Sequence, residues 1–207
     1  MIDVRRAADR FETVQPGITT RHCFSSGAHY DRDNIAFGTL IALDEHVVAP
    51  GAGFGWHAHR GVEIISWVLQ GTLRHEDSTG RVEHVGLDTA QYQSARSGIE
   101  HAERNASDTE ALHLLQLVLL GGPATPAYLL GAPPLIVGAG AFTVLRAPGP
   151  VELAASSHLH LFLARGTARV AGQTLQAGDS ARVREMALSV EAAGEVILWR
   201  SGESAAG

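Results

Sequence analysis

The stretches Gly51-Ala-Gly-Phe-Gly-Trp-His-Ala-His-Arg-Gly-Val-Glu63 and Gly98-Ile-Glu-His-Ala-Glu-Arg-Asn105 decide how this chain is read. Side chains two apart on a strand share a face, so His57 and His59 aim two imidazoles at one point inside a β-barrel. His101 and Glu103 repeat that spacing. On neighbouring strands the two pairs bring three nitrogens and one carboxylate oxygen together, a set suited to divalent Fe, Ni, Cu, Mn or Zn. An octahedral ion on those four groups keeps open positions, which separates a reactive centre from a closed structural one.

Working outward, the chain has 207 residues, enough for one large or two small domains with a sizeable core. Hydrophobic residues make up 45%, with 23 Gly and 8 Pro, a mixture that suits a β-rich protein with many tight turns. Sixteen basic against 22 acidic residues leave a net charge of −6, and no block of Lys and Arg offers a nucleic-acid surface. Cys23 is the single cysteine, which rules out an intrachain disulfide and makes a cytoplasmic location the expectation. The charged N-terminus reads as no signal peptide, and no apolar run approaches the length of a membrane span.

Short edge strands are expected at residues 2–5 and about 12–22, then a loop over 23–34, then two strands within 35–49 broken near Leu43-Asp44-Glu45. Glycines 51, 53 and 55 read as a sharp turn into the barrel. No Gly-Lys-Ser/Thr follows them, which excludes a phosphate loop. Strands follow at 62–69, 72–76, 81–85, 89–96 and 111–120, with Asp77-Ser-Thr-Gly80 as a turn. Leu163-Ala-Arg-Gly166-Thr-Ala-Arg169 echoes Val68-Leu-Gln-Gly71-Thr-Leu-Arg74, the mark of a second barrel of the same type. Counting back from Gly166, Glu152 and Ala154 stand where His57 and His59 stand before Gly71, so the second half is expected to hold no metal. His158 and His160 are expected on an ordinary strand.

Gly51, His57, His59 and Glu63 fit Gly-x5-His-x-His-x3-Glu, while Gly98, His101 and Asn105 fit Gly-x2-His-x3-Asn. These resemble the two motifs of the cupin superfamily. The run HAHRGVEIISWVLQGTLRHEDSTG followed by SGIEHAERN is similar, more narrowly, to the pirin family pattern of His-Pro-His-Arg-Gly-Phe-Glu, Leu-Glu-Gly, His-x-Asp-Ser-x-Gly and Gly-Ile-x-His-Ser-Glu. The resemblance covers about Gly51 to Gln116. It implies an all-β bicupin, two β-barrels of the double-stranded β-helix type. A metal-binding domain is then expected at 1–122, a linker at 123–140 and a smaller metal-free domain at 141–207. It also implies one ion on His57, His59, His101 and Glu103, with Glu63 close behind them.

Pirin-like proteins include enzymes resembling quercetin 2,3-dioxygenase, so the expected activity is dioxygenation of a flavonoid-like aromatic by O2, with Fe(II) as the first choice of metal. Glu103 is the expected catalytic base, because a carboxylate there can take the substrate's hydroxyl proton. Two rivals are a metal-dependent regulator or redox sensor that binds a protein partner, and another cupin enzyme such as a sugar isomerase. The second needs Arg60, Arg96 or Arg104 at the pocket, and Arg96 is expected on the face of Gly98, reaching the mouth toward anionic ligands. Of the remaining residues, Phe54, Trp56 and Trp67 read as core or pocket wall, His113 as a hydrogen-bonded core residue, and His75 and His84 as solvated.

Overall fold

The computed structural model describes residues 1–121, 127–138, 140–146 and 148–201. The described residues form β-strands and one short 3-10 turn, Ala7–Asp9, and contain no helix long and apolar enough to cross a membrane. In chain order the strands are β1 (Ile2–Arg5), β2 (Phe11–Gln15), β3 (Ile18–His22), β4 (Leu40–Val48), β5 (Gly53–His59), β6 (Val62–Gln70), β7 (Leu73–Asp77) and β8 (Val82–Val85). They continue as β9 (Ala90–Ser94), β10 (Ile99–Asn105), β11 (Leu112–Leu120), β12 (Tyr128–Gly131), β13 (Leu135–Val137) and β14 (Gly140–Leu145). The last five are β15 (Pro150–Leu153), β16 (Leu159–Val170), β17 (Gln173–Gln176), β18 (Ser180–Val183) and β19 (Leu188–Ser201).

Contacts divide the chain into two compact units. One takes Phe11–Ala36 and Leu40–Pro133, the other Met1–Arg10, Phe37–Thr39 and Pro134–Gly207. In the first, a seven-stranded sheet ordered β12-β9-β6-β11-β4-β3-β2 faces a four-stranded sheet ordered β5-β10-β7-β8. Ile18, Val48, Val68, Leu112 and Leu114 of the larger sheet pack with Leu73, Val85 and Phe54 of the smaller one. Burial of such side chains, each contributing about 1.5–3 kcal/mol, is what holds the two sheets together. In the second unit one eight-stranded sheet is built on β1-β18-β16-β19-β14-β13, with β15 on β19 and β17 on β16, around a core that includes Leu161, Leu163, Val170 and Val196.

The fold is all-β, as the periodicity implies, and three local features differ from or sharpen that reading. First, β4 runs unbroken through Asp44 and Glu45. Their charges are accommodated because histidines on the flanking strands meet them, His22 Nδ1 at 2.8 Å from Asp44 Oδ1 and His113 Nε2 at 2.9 Å from Glu45 Oε1. Second, β1 pairs with β18, so the first strand belongs to the sheet built by the last third of the chain. Third, the internal echo is conformational as well as chemical: Gly71 and Gly166 have φ of +80° and +78°, where an added Cβ would strike the carbonyl of Ala111 or Ala193. Of the stretch read as a connection, 122–126 and 139 lie outside the described residues. Within the described part of that stretch, β12 pairs with β9 and β13 with β14.

Candidate metal centre

The smaller sheet of the first unit positions the site. β10 lies between β5 and β7, with His101 opposite both His57 and Asp77, and Glu103 opposite His75. Gly53 allows the close approach of β5, because a Cβ there would fall 2.5 Å from the Glu103 carbonyl and 2.6 Å from Arg104 Cα. The register of β5 against β10 shifts between His101 and Glu103, so that Gly55 and Trp56 oppose the single residue Ala102. The bulge reverses the alternation: Phe54 turns in toward the core, its ring 6.5 Å from that of His57, while Trp56 is left 57% exposed. Trp67, by contrast, is fully buried.

His57, His59 and His101 converge as their spacing predicts. One nitrogen from each lies within 4.8 Å of the others, and the ring centroids are 4.4 to 4.9 Å apart. His57 Nδ1 donates to the Gly55 carbonyl at 2.7 Å, which in the neutral ring leaves Nε2 bare, 2.9 Å from His101 Nε2. Two ligands at right angles on an ion with bonds of about 2.1 Å stand about 3.0 Å apart, so this spacing suits a shared cation. His59 Nε2 and Glu103 Oε1 are buried without hydrogen-bond partners, which also fits a cation that would meet them. Glu103 groups with His101 and His75 rather than with all three histidines, these three again offering atoms within 4.8 Å of one another. Its other oxygen is held by Gln116, whose Nε2 donates to Glu103 Oε2 at 2.9 Å and reaches Ser66 Oγ at 3.3 Å.

His75 is fully buried, which corrects its reading as a solvated residue. It alternates with Leu73 and Asp77 on the inward face of β7, and the apolar Leu73 two positions earlier is the signal that would have found it. Glu63 also departs from expectation. On β6 it lies on the face opposite Ser66, where its carboxylate accepts a 2.7 Å hydrogen bond from the Tyr92 hydroxyl, so it does not stand behind the cluster. That bond and burial together hold the Tyr92 phenol protonated. Arg60, Arg96 and Arg104 are all exposed, and the guanidinium beside Gly98 is that of Arg60 rather than Arg96. His84 is exposed and Cys23 buried. In the second unit His160 is buried and His158 stacks edge-on against Phe37, and among the described residues no group of three metal-capable side chains includes either.

Burial pushes the imidazole of His101 down to about 4 and lowers those of His59 and His75, so all three are neutral at pH 7. His160 is pushed down to about 3 by its own burial and then by Arg182. In an unfolded chain these histidines bind protons near 6.5 while the folded ones do not. The unfolded state therefore gains protons first as pH falls. Metal-free protein is expected to lose thermal stability progressively from about pH 6.5 toward 4 and to be insensitive to these groups above about pH 7.5. A series of melting curves across that range checks it.

Similarity to known proteins bears on the fold and the family. The family described as Pirin matches residues 3–119. A Mycobacterium tuberculosis relative, provisionally named a quercetin 2,3-dioxygenase, is 34% identical over 96% of this chain and 94% of its own length. The Escherichia coli quercetin 2,3-dioxygenase is 38% identical over 58% of this chain and 52% of its own. The E. coli bacterial pirin YhhW, solved in complex with nickel(II), superposes with a TM-score of 0.87 at 26% identity, covering 97% of this chain and 98% of that one. The two-barrel fold is thus shared with a nickel-bound pirin.

Proposed function

Because this chain belongs to the pirin family, we propose that it is a metal-dependent dioxygenase resembling quercetin 2,3-dioxygenase, using O2 on flavonol-type aromatics at His57, His59, His101 and Glu103. The observation that carries the proposal is the convergence of three imidazoles, those of His57, His59 and His101, beside a buried carboxylate oxygen that has no hydrogen-bond partner. Fe(II) is the ion we favour, and nickel is the one held by the E. coli pirin.

When bound, a divalent cation supplies Lewis acidity that eases loss of a phenolic proton and a centre at which O2 meets the substrate. The protein's own groups have separate tasks. The Gly55 carbonyl fixes the tautomer of His57 by accepting a hydrogen bond from Nδ1–H. Gln116 restrains one oxygen of Glu103, leaving Oε1 to take the hydroxyl proton as the enolate forms. The apolar side chains of Phe54, Val68 and Leu114 keep bulk water from that end of the barrel.

Elemental analysis of purified protein followed by a flavonol turnover assay with each divalent metal tests the proposal. Flavonol consumption that scales with bound metal supports it, and a fully loaded protein without turnover contradicts it. The competing reading, a metal-dependent regulator that docks a protein, is favoured by the exposure of Trp56 next to His57. That reading predicts a loaded but inactive protein.

A further inference from the structure

Behind the three histidines, the proton-accepting Glu103 Oε1 belongs to a set of buried polar atoms of which the other three have no part in the proposed chemistry. His75 Nε2, Glu103 Oε1, Gln91 Oε1 and Gln93 Oε1 all lack hydrogen-bond partners, in residues no more than 3% exposed. Buried polar atoms are nearly always satisfied, so four unpartnered ones at one end of a barrel mark a place made for a polar occupant.

Their chemistry defines that occupant. Gln91 Nε2 lies 2.9 Å from His75 Nδ1, and because an amide nitrogen only donates, Nδ1 accepts and the ring proton sits on Nε2. Nε2 is thus a donor. Asp77 Oδ2 is 3.6 Å from it, too far for a good hydrogen bond, and that carboxylate already accepts from Thr79, the Arg81 amide and Gln93. Glu103 Oε1, by contrast, is an acceptor. His75 and Glu103 offer atoms within 4.8 Å of one another, and one oxygen making two hydrogen bonds of about 2.8 Å spans any such gap up to about 5.6 Å. An oxygen that both accepts and donates fits; a carbonyl, a methyl group or a halide does not. Gln91 and Gln93 extend the polar surface along β9.

We infer that His75 is a positioning residue that holds a ligand hydroxyl between its Nε2–H and Glu103 Oε1, so that the site selects a hydroxylated ring over its deoxy counterpart. The inference rests on the flavonol reading above. The hydroxyl donates to Glu103 while His75 donates to the hydroxyl oxygen, which keeps the proton pointed at the base. His75 itself holds no metal in this arrangement, because its Nε2 lone pair is protonated.

The test uses zinc-loaded full-length protein, in which no turnover interferes, and two probes: quercetin and luteolin, the same flavonoid without the 3-hydroxyl. The parent is expected to bind quercetin more tightly than luteolin. His75→Ala is expected to weaken quercetin about tenfold, leave luteolin within about twofold and leave zinc stoichiometry unchanged. His75→Gln, whose amide keeps a donor at similar reach, restores most of the quercetin affinity. Equal losses for both probes, no loss for either, failure of His75→Gln to rescue, or zinc lost with the imidazole would each overturn the assignment. A parent without preference for quercetin shows that the gap holds water only, which overturns it as well. A parent that binds neither flavonoid instead removes the flavonol reading itself, and the hydroxyl assignment with it.

Discussion

His57→Ala combined with His101→Ala is expected to abolish tight metal binding, lowering stoichiometry from near one ion per chain to below about 0.1. Loss of a single outer partner of a metal ligand already costs about 10–100-fold in affinity, so removal of two of the proposed ligands, which stand 2.9 Å apart, should exceed that range. The barrel should survive, since its core is carried by Ile18, Val68, Leu73 and Leu114 rather than by the histidines. Relief of the buried His101 imidazole stabilises the metal-free protein at mildly acidic pH. Elemental analysis and near-ultraviolet circular dichroism on the same sample separate the two effects. A folded variant that keeps close to one ion per chain would place the metal elsewhere, and a parent with two ions per chain would refute the expectation that the second unit holds none.

Glu103→Gln separates holding the metal from using it. The amide keeps the volume and the hydrogen bond to Gln116 while removing charge and basicity. Metal content is expected to stay above half of the parent's, because three imidazoles remain. Flavonol turnover should fall by about 100- to 10,000-fold, the usual contribution of a general base. Turnover at the parent rate would show that Glu103 is not the base.

Much of this arrangement is legible in the chain because strand alternation is a simple code. His57 and His59 are two apart on β5, and His101 and Glu103 two apart on β10, and the structure brings the three histidines together. What alternation hides is irregularity. The bulge at Gly55 and Trp56 shifts parity by one, so Phe54 rather than Trp56 faces inward, and nothing in GFGWH announces it. Charge is a second source of error. Asp44 and Glu45 read as a break in a strand, yet each is met by a histidine from a neighbouring strand that is distant in sequence. His75 reads as solvated because it sits in the polar run His-Glu-Asp-Ser-Thr-Gly, although Leu73 two positions earlier already faces the core. The pairing of β1 with β18 joins residues about 180 positions apart, and local pattern carries no information on a partner that far away.

The same logic explains why Glu63 misleads. The resemblance puts it close behind the histidines, but the turn at Arg60 and Gly61 lies between them, and on β6 its side chain points to the other face. Glu103, on the strand that carries His101, is the carboxylate that groups with histidines, namely His75 and His101. The shared residue is His101: it lies against His57 and His59 on one side and against His75 and Glu103 on the other. A ligand hydroxyl held by His75 and Glu103 would therefore sit next to the imidazole common to both groups.

The most direct test is oxygen uptake measured against flavonol consumption on protein loaded with Fe(II), with the His57→Ala, His101→Ala double variant alongside. One O2 consumed per flavonol, at a rate proportional to bound metal and absent in the double variant, is the predicted result. Fully loaded parent protein that consumes no O2 above the buffer rate, or a double variant that consumes it as fast as the parent, would contradict a dioxygenase centre at these residues.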